Sequence, residues 1–262
     1  MHFYKNKEGK GGIGTLIRVI VFLFILAGIL IFIGIKFGIL PPLDQMLGFN
    51  KARDLGIRYS GIDVMKIHDS IGTKTTIMKS ASSPNKDVND KFTSDAGIIF
   101  EGQKQVKYSL NSEELSALAN SPWKYFPLSE LQIKIGGNGI VEAAAMVKIN
   151  KMISFAQVLG ATDEQVKEAM RNMNIPERDI PIYVKGTFIV KEGEAEINPE
   201  KISIGIINMP KQMIDKVTPS VTESVNSIIN GFPGFYIKSL SFNKEKMNFE
   251  GTVPEKQIIF TE

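Results

Sequence analysis

The sequence predicts an α+β protein carried on one N-terminal transmembrane helix, and three observations predict it. Residues 19–35 contain no charge and are almost wholly apolar; period-two alternation recurs in three stretches after position 130; and apolar residues recur at helical spacing in others. Each element follows from its local residues.

The apolar stretch extends from Ile13 to Leu40 if Arg18 and Lys36 carry their charged heads to the two interfaces. At helical rise this stretch crosses a hydrocarbon core of ~30 Å with some tilt. Pro41 and Pro42, which lack backbone donors, end it. Four basic residues precede the span, whereas Lys36, Lys51 and Arg53 follow it closely, so a slight positive-inside bias places the N-terminus in the cytoplasm. A cleaved signal peptide is the rival, but its apolar region is unusually long and the exit, Phe37 to Pro42, has no small-x-small site. The expected organisation is a cytoplasmic tail over 1–12, a signal-anchor over 13–40, a juxtamembrane segment over 41–105 and an extracytoplasmic α+β domain over 106–262. The protein is then single-pass in the cytoplasmic membrane, with its C-terminal domain outside.

The net charge of +3 divides unevenly. Residues 1–40 carry five basic residues against Glu8, leaving 26 basic and 27 acidic residues beyond them. A near-neutral domain lacks the basic face that a nucleic-acid partner requires. Zero cysteines excludes disulfides, thiolate metal sites and cysteine nucleophiles.

Ser112-Glu113-Glu114-Leu115 opens a helix with Asn111 or Ser112 as N-cap and acidic residues at its positive end. Leu131, Ile133 and Ile135 share one strand face, Gly136 to Gly139 turn, and Val141, Ala143, Ala145 and Val147 return: a hairpin. Thr162-Asp163-Glu164 caps a helix striped by Val166, Ala169, Met170 and Met173. A second hairpin runs through Val184, Gly186, Phe188 and Val190, turns at Glu192-Gly193 and returns over 195–207 as one or two strands. The longest helical signal spans Met213 to Ile229; Pro219 interrupts it, predicting a kink or a fresh start capped by Thr218. A last hairpin joins 237–242 to 247–253 across Asn243 to Lys246. Ser80 to Asp95 reads as a polar loop.

Two segments share one order of elements. Each has a helix, then Phe-Pro, then a hairpin, over Phe126 to Val147 and Phe232 to Val253, 22 residues in both. Residue identity between them is poor, so the correspondence is topological, and it implies two hairpins that complete one another's apolar face.

Catalytic sets are hard to assemble from these residues. Beyond the tail His68 is the single histidine, beside Asp69, and a lone solvated imidazole explains it. Zinc fails for the same shortage of ligands. Ser83 to Lys86 and Ser121 to Lys124 both fit S-x-x-K, but Pro follows each Ser and the companion motifs are missing. Asp87-Val88-Asn89-Asp90 begins like a calcium loop, yet Lys91 stands where an oxygen ligand belongs. Gly12-Ile13-Gly14 enters a span, not a phosphate loop. No cofactor is expected.

What remains is apolar. Taken singly, each such residue is core; taken together, Met-rich stripes and one-sided strands suit a groove for acyl chains. The expected lining is Leu131, Ile133, Val184, Phe188, Val217, Val221, Val225, Met247 and Phe249.

The succession of Leu110 to Leu118, the hairpin ending Glu142 to Val147, Pro181 to Gly186, Val225 to Asn230, Phe232-Pro233-Gly234 and Phe249 to Pro254 resembles the membrane-anchored LmeA-like and YpmS-like extracytoplasmic proteins of bacteria. It covers roughly residues 105–256. The resemblance implies a curved antiparallel sheet wrapped on a long helix, similar to half of a tubular lipid-binding module, with phospholipid binding or envelope assembly as the role. The extra segment Lys51 to Gln105 departs from it, and no functional residues carry over.

The expected function is therefore non-enzymatic binding of membrane lipid or another apolar ligand at the cell envelope. The alternative is a structural adaptor that docks an envelope protein partner and has a dry interior. The stretch Asp54 to Ser60 is unusual without declaring a chemistry.

Overall fold

Period-two alternation, punctuated by positive-φ turns, builds most of this molecule. The structure, a computed structural model, describes residues 51–71, 74–79, 98–120, 126–149, 151, 164, 179–205, 207–231 and 234–261. The apolar stretch 13–40, the polar loop 80–95, both S-x-x-K segments and most of the helix expected after Thr162 lie outside these residues. Among the described residues no helix is long and apolar enough to cross a membrane.

In chain order the elements are α1 (Val64–Ile71), β1 (Lys74–Lys79), β2 (Ile98–Glu101), β3 (Lys104–Asn111), α2 (Ser112–Ala119), β4 (Leu128–Ile135), β5 (Ile140–Val147), β6 (Ile180–Lys191), β7 (Glu194–Ile204), β8 (Ile207–Asn208), α3 (Lys211–Gly231), β9 (Tyr236–Asn243), β10 (Lys246–Val253) and β11 (Lys256–Thr261). The fold is α+β: a strongly curled antiparallel sheet, in effect a half-barrel, follows the path β3-β10-β9-β6-β5-β4. All three expected hairpins are present, as β4–β5, β6–β7 and β9–β10. Glu192 and Gly193 both have positive φ, as do Lys244 and Glu245, which is the twist a two-residue hairpin turn demands.

The twelve-residue β6 organises the sheet. One edge pairs with β7 over most of its length, while the other takes β5 over Ile180–Thr187 and then β9 at Val190 and Lys191. The two eight-residue-strand hairpins foreseen as a repeat thus meet end to end on one strand. They attach differently, one through its second strand and the other through its first. Gly139, in the β4–β5 turn, abuts the Phe242 carbonyl of β9, where a Cβ would lie 2.9 Å from the oxygen.

Curling follows from bulges. Register slips at Lys185/Gly186, at Glu250/Gly251 and between Ser129 and Gln132, where Glu130 takes φ 54°. An extra residue on one strand bends it and raises the local twist.

Helices cover the edges of β4 and β7. Asn111 caps α2 with a full capping box, its Oδ1 accepting from Glu114 N–H while Glu114 Oε2 accepts from Asn111 N–H. Ser112, Ser116 and Asn120 follow at four-residue spacing and take the place of a neighbouring strand for β4. Their oxygens accept the N–H groups of Ile135, Ile133 and Leu131 at 3.0, 2.9 and 3.0 Å. At β7, Asn226 of α3 accepts from Ala195 N–H at 2.7 Å, and Asn230 donates to the Gly193 carbonyl. Unpaired edges invite aggregation, and at β4 and β7 helix side chains take up edge groups.

The expected fresh start at Thr218 does not occur. α3 runs unbroken through Pro219, which is exposed, and Thr218 turns its hydroxyl back to the Ile214 carbonyl at 2.7 Å. Packing explains it: Ile214, Val221, Val225 and Ile229 form one buried stripe, and restarting the helix would break it. α3 packs on β7 and touches β9. A second sheet, which the sequence reading does not contain, pairs β1 parallel to β11 and β11 antiparallel to β2. α1, which includes His68, packs on α2 and β3.

Candidate functional site

Inward-facing residues of the curled sheet and the stripe of α3 form one cluster of buried apolar side chains. Eight of the nine expected lining residues belong to it: Leu131 and Ile133 from β4, Val184 and Phe188 from β6, Val221 and Val225 from α3, Met247 and Phe249 from β10, all at most 2% exposed. Val217 is half-buried and packs against it. Period two put the strand residues on one face, and a stripe at four-residue spacing did the same for the helix. Eight of the nine belong to one cluster and the ninth packs against it.

Polar groups inside this cluster are few. The buried polar residues Ser112 and Ser116 serve the β4 edge, and Ser203 donates to Asn208 Oδ1 at 2.7 Å. Tyr108 on β3 differs. Its ring stacks on Phe249 with centroids 4.9 Å apart, and its hydroxyl is buried with no hydrogen-bond partner among the described residues. Burial holds its pKa well above the usual phenol value. A buried unpaired hydroxyl costs free energy and asks for an acceptor. Sequence reasoning missed Tyr108, although its place two residues before Leu110 on the same strand face was readable.

The opposite face carries two features. At β3, β10 and β9 a depression of about 370 Å³ is lined by Gln105, Lys107, Tyr236, Lys238, Glu250 and Thr252, among others. Lys238 and Lys107 share Glu250, at 2.5 and 3.3 Å, and hold its carboxyl below the usual range, Lys238 more strongly. Tyr236, exposed, donates to Glu192 Oε2 at 2.5 Å.

At β4, β5 and β6 the row Gln132, Ala144 and Tyr183 is covered by the stretch that sequence reading left unexplained. Gln132 Oε1 accepts from the N–H groups of Leu55 and Ile57 at 2.9 and 3.2 Å. The Arg53 guanidinium lies 4.3 Å from the Tyr183 ring centroid. Tyr183 in turn donates to Glu142 Oε2 at 2.6 Å; desolvation first, then that carboxylate, push its pKa up to about 12. Asp54 grips Arg58 through two 3.0 Å contacts and caps Gly56 N–H at 2.8 Å, with Gly56 at φ 79°. Chiefly through Arg58, its carboxyl sits well below the usual range.

No family model matches the chain, and no curated protein or solved structure does.

Proposed function

We propose that this chain is a membrane-anchored, extracytoplasmic, non-enzymatic protein whose curled sheet takes up lipid or another apolar ligand at the cell envelope. Residues 13–40 are its anchor, and confinement beside a bilayer raises the effective concentration of the domain near its ligand. The observation that carries the reading is Tyr108: a buried hydroxyl with no hydrogen-bond partner among the described residues, on a ring that stacks on Phe249 and packs against a largely apolar cluster. An acyl ligand bearing a carboxylate or ester carbonyl supplies the missing acceptor while its chain replaces contacts among Phe188, Met247 and Phe249. The fork between β5 and β9 on β6 is the place where such an interior opens with least loss of strand pairing.

The test is to purify residues 51–262 from cells, extract with organic solvent and analyse the extract by mass spectrometry. Co-purifying lipid and saturable uptake of a fluorescent fatty acid support the reading; absence of both sinks it.

A second reading, an envelope adaptor docking a protein partner, draws on the near-zero exposure of the expected lining residues, which suits a dry interior. Crosslinking in living cells separates the two, since an adaptor gives one dominant protein adduct.

A further inference from the structure

The sequence holds two Asn-Gly pairs, Asn138-Gly139 and Asn230-Gly231, and the fold sets them in opposite situations. An asparagine followed by glycine is chemically labile, because no Cβ hinders the nitrogen that attacks its side-chain amide. Asn138 lies exposed in the turn between β4 and β5. Its Oδ1 accepts from the Ile140 N–H at 3.3 Å, which folds the side-chain carbonyl over the peptide carrying the Gly139 nitrogen and polarises that carbonyl. To react, the Gly139 N–H gives up a long bond, 3.3 Å, to the Gly136 carbonyl. Asn230 is also exposed, so access of water does not separate the pairs. Its amide nitrogen, however, donates to the Asn226 carbonyl at 2.9 Å and to the Gly193 carbonyl at 3.3 Å, and both residues of the pair belong to α3. A helical backbone turns the Gly231 N–H back along the axis, away from attack.

We propose that Asn138 is a site of spontaneous deamidation, and that its isoaspartyl product loosens the junction where the two hairpins meet on β6. The Gly139 nitrogen bonds to Asn138 Cγ and loses its proton, the side-chain amide leaves as ammonia, and a cyclic imide forms. Water then opens the imide. Attack at Cγ gives aspartate; attack at the main-chain carbonyl carbon gives isoaspartate, in which the chain runs through Cβ and Cγ. The net reaction consumes water and releases ammonia. The extra main-chain carbon falls beside Gly139, which already presses on the Phe242 carbonyl of β9, where a Cβ would lie 2.9 Å from the oxygen. Phe242 sets its ring 6.4 Å from that of Phe188 in the apolar cluster, so displacement at the turn reaches the interior.

The full-length chain is incubated at mildly alkaline pH, folded in detergent and, in parallel, unfolded in guanidinium. Peptide mapping by mass spectrometry reads the mass gain at each asparagine, and electron-transfer fragmentation separates isoaspartate from aspartate. In the folded chain Asn138 should convert at least roughly ten-fold faster than Asn230, since breaking the Asn230 amide bonds alone is worth about that factor. In the unfolded chain the two rates should converge. The aged, folded chain should exchange the β9 amides around Phe242 faster than the fresh one. Asn138→Asp, which adds the charge without the extra carbon, should exchange like the fresh chain. Matching rates in the folded chain, or a faster Asn230, overturn the site. Unchanged β9 exchange in chains bearing isoaspartate, or the same acceleration in Asn138→Asp, overturns the isoaspartyl loosening.

Discussion

Ser116 and Ile133 meet across a helix and a strand edge and exchange two hydrogen bonds: the serine hydroxyl accepts from the Ile133 N–H at 2.9 Å and donates to its carbonyl at 3.4 Å. Both are buried, so neither backbone group has water as a substitute. Ser116→Ala should therefore cost about 1–3 kcal/mol, read as a shift of the urea midpoint with accelerated exchange of the Ile133 amide. Ser129 is the control, because its buried hydroxyl has no partner among the described residues. Ser129→Ala should be neutral or stabilising, and equal losses at both positions contradict the edge-capping role.

Gly186 and Gly251 sit at two of the bulges that curl the sheet, and each presses on the backbone of its neighbouring strand. A Cβ at Gly186 would lie 2.4 Å from the Asn198 carbonyl oxygen, and one at Gly251 2.1 Å from that of Tyr236. Space, not φ, demands glycine here. Alanine at either position should destabilise by about 1–3 kcal/mol or more, in contrast to Gly137→Ala, where nothing lies within 4 Å. Thermal melts of the three variants check this.

Tyr108→Phe removes a buried hydroxyl that the described residues leave unsatisfied. The empty domain should be unchanged or stabilised by about 1 kcal/mol. A fatty-acid carboxylate, if it uses that hydroxyl, should bind roughly 2- to 10-fold more weakly, equivalent to about 0.5–1.5 kcal/mol. Calorimetric titration alongside a melt separates the two effects; a destabilised domain with unchanged binding shows that the hydroxyl serves the fold instead.

Tyr183 should titrate near pH 12, and the sign of each neighbour is fixed. A phenol whose pKa is raised by folding contributes stability that is full below its ordinary value of 10 and is lost as pH climbs from 10 through about 12. Glu142→Gln should bring the titration down toward 10, by removing a carboxylate that disfavours phenolate. Arg53→Ala should move it further up, by removing the cation that favours phenolate. Difference absorbance of the phenolate band in each variant against the parent reads both shifts; identical curves contradict the contacts.

Much of this was legible in the sequence because period two and helical spacing report burial directly. The β4–β5, β6–β7 and β9–β10 hairpins follow from that grammar, and so does the gathering of Leu131, Val184, Val221 and Phe249 into one cluster; the start of α2 was legible to within the choice of Asn111 or Ser112 as cap, and Asn111 is the one used. The misses share another cause. β1 and β11 pair in parallel from opposite ends of the domain, a contact that no local pattern encodes. Gln132 lies 75 or more residues away from the two amides it accepts, so Asp54 to Ser60 looked unusual without a reason. Gly186 and Gly251 read as ordinary strand positions, although an isolated glycine inside a strand pattern is itself a signal of a bulge. Of the two outcomes expected at Pro219, a kink or a fresh start at Thr218, the fresh start does not occur, because the exposed side of α3 tolerates a lost bond while the buried side continues to pack.

Uptake of an apolar ligand among the inward-facing side chains is most directly tested by photo-crosslinking. Residues 51–262 are incubated with a diazirine-bearing fatty acid, irradiated, digested and mapped by mass spectrometry. Adducts on β6 and β10, at Val184, Phe188, Met247 or Phe249, that disappear under competition by unlabelled fatty acid are the expected result. Adducts confined to outward-facing residues such as Tyr236, or none at all, contradict it.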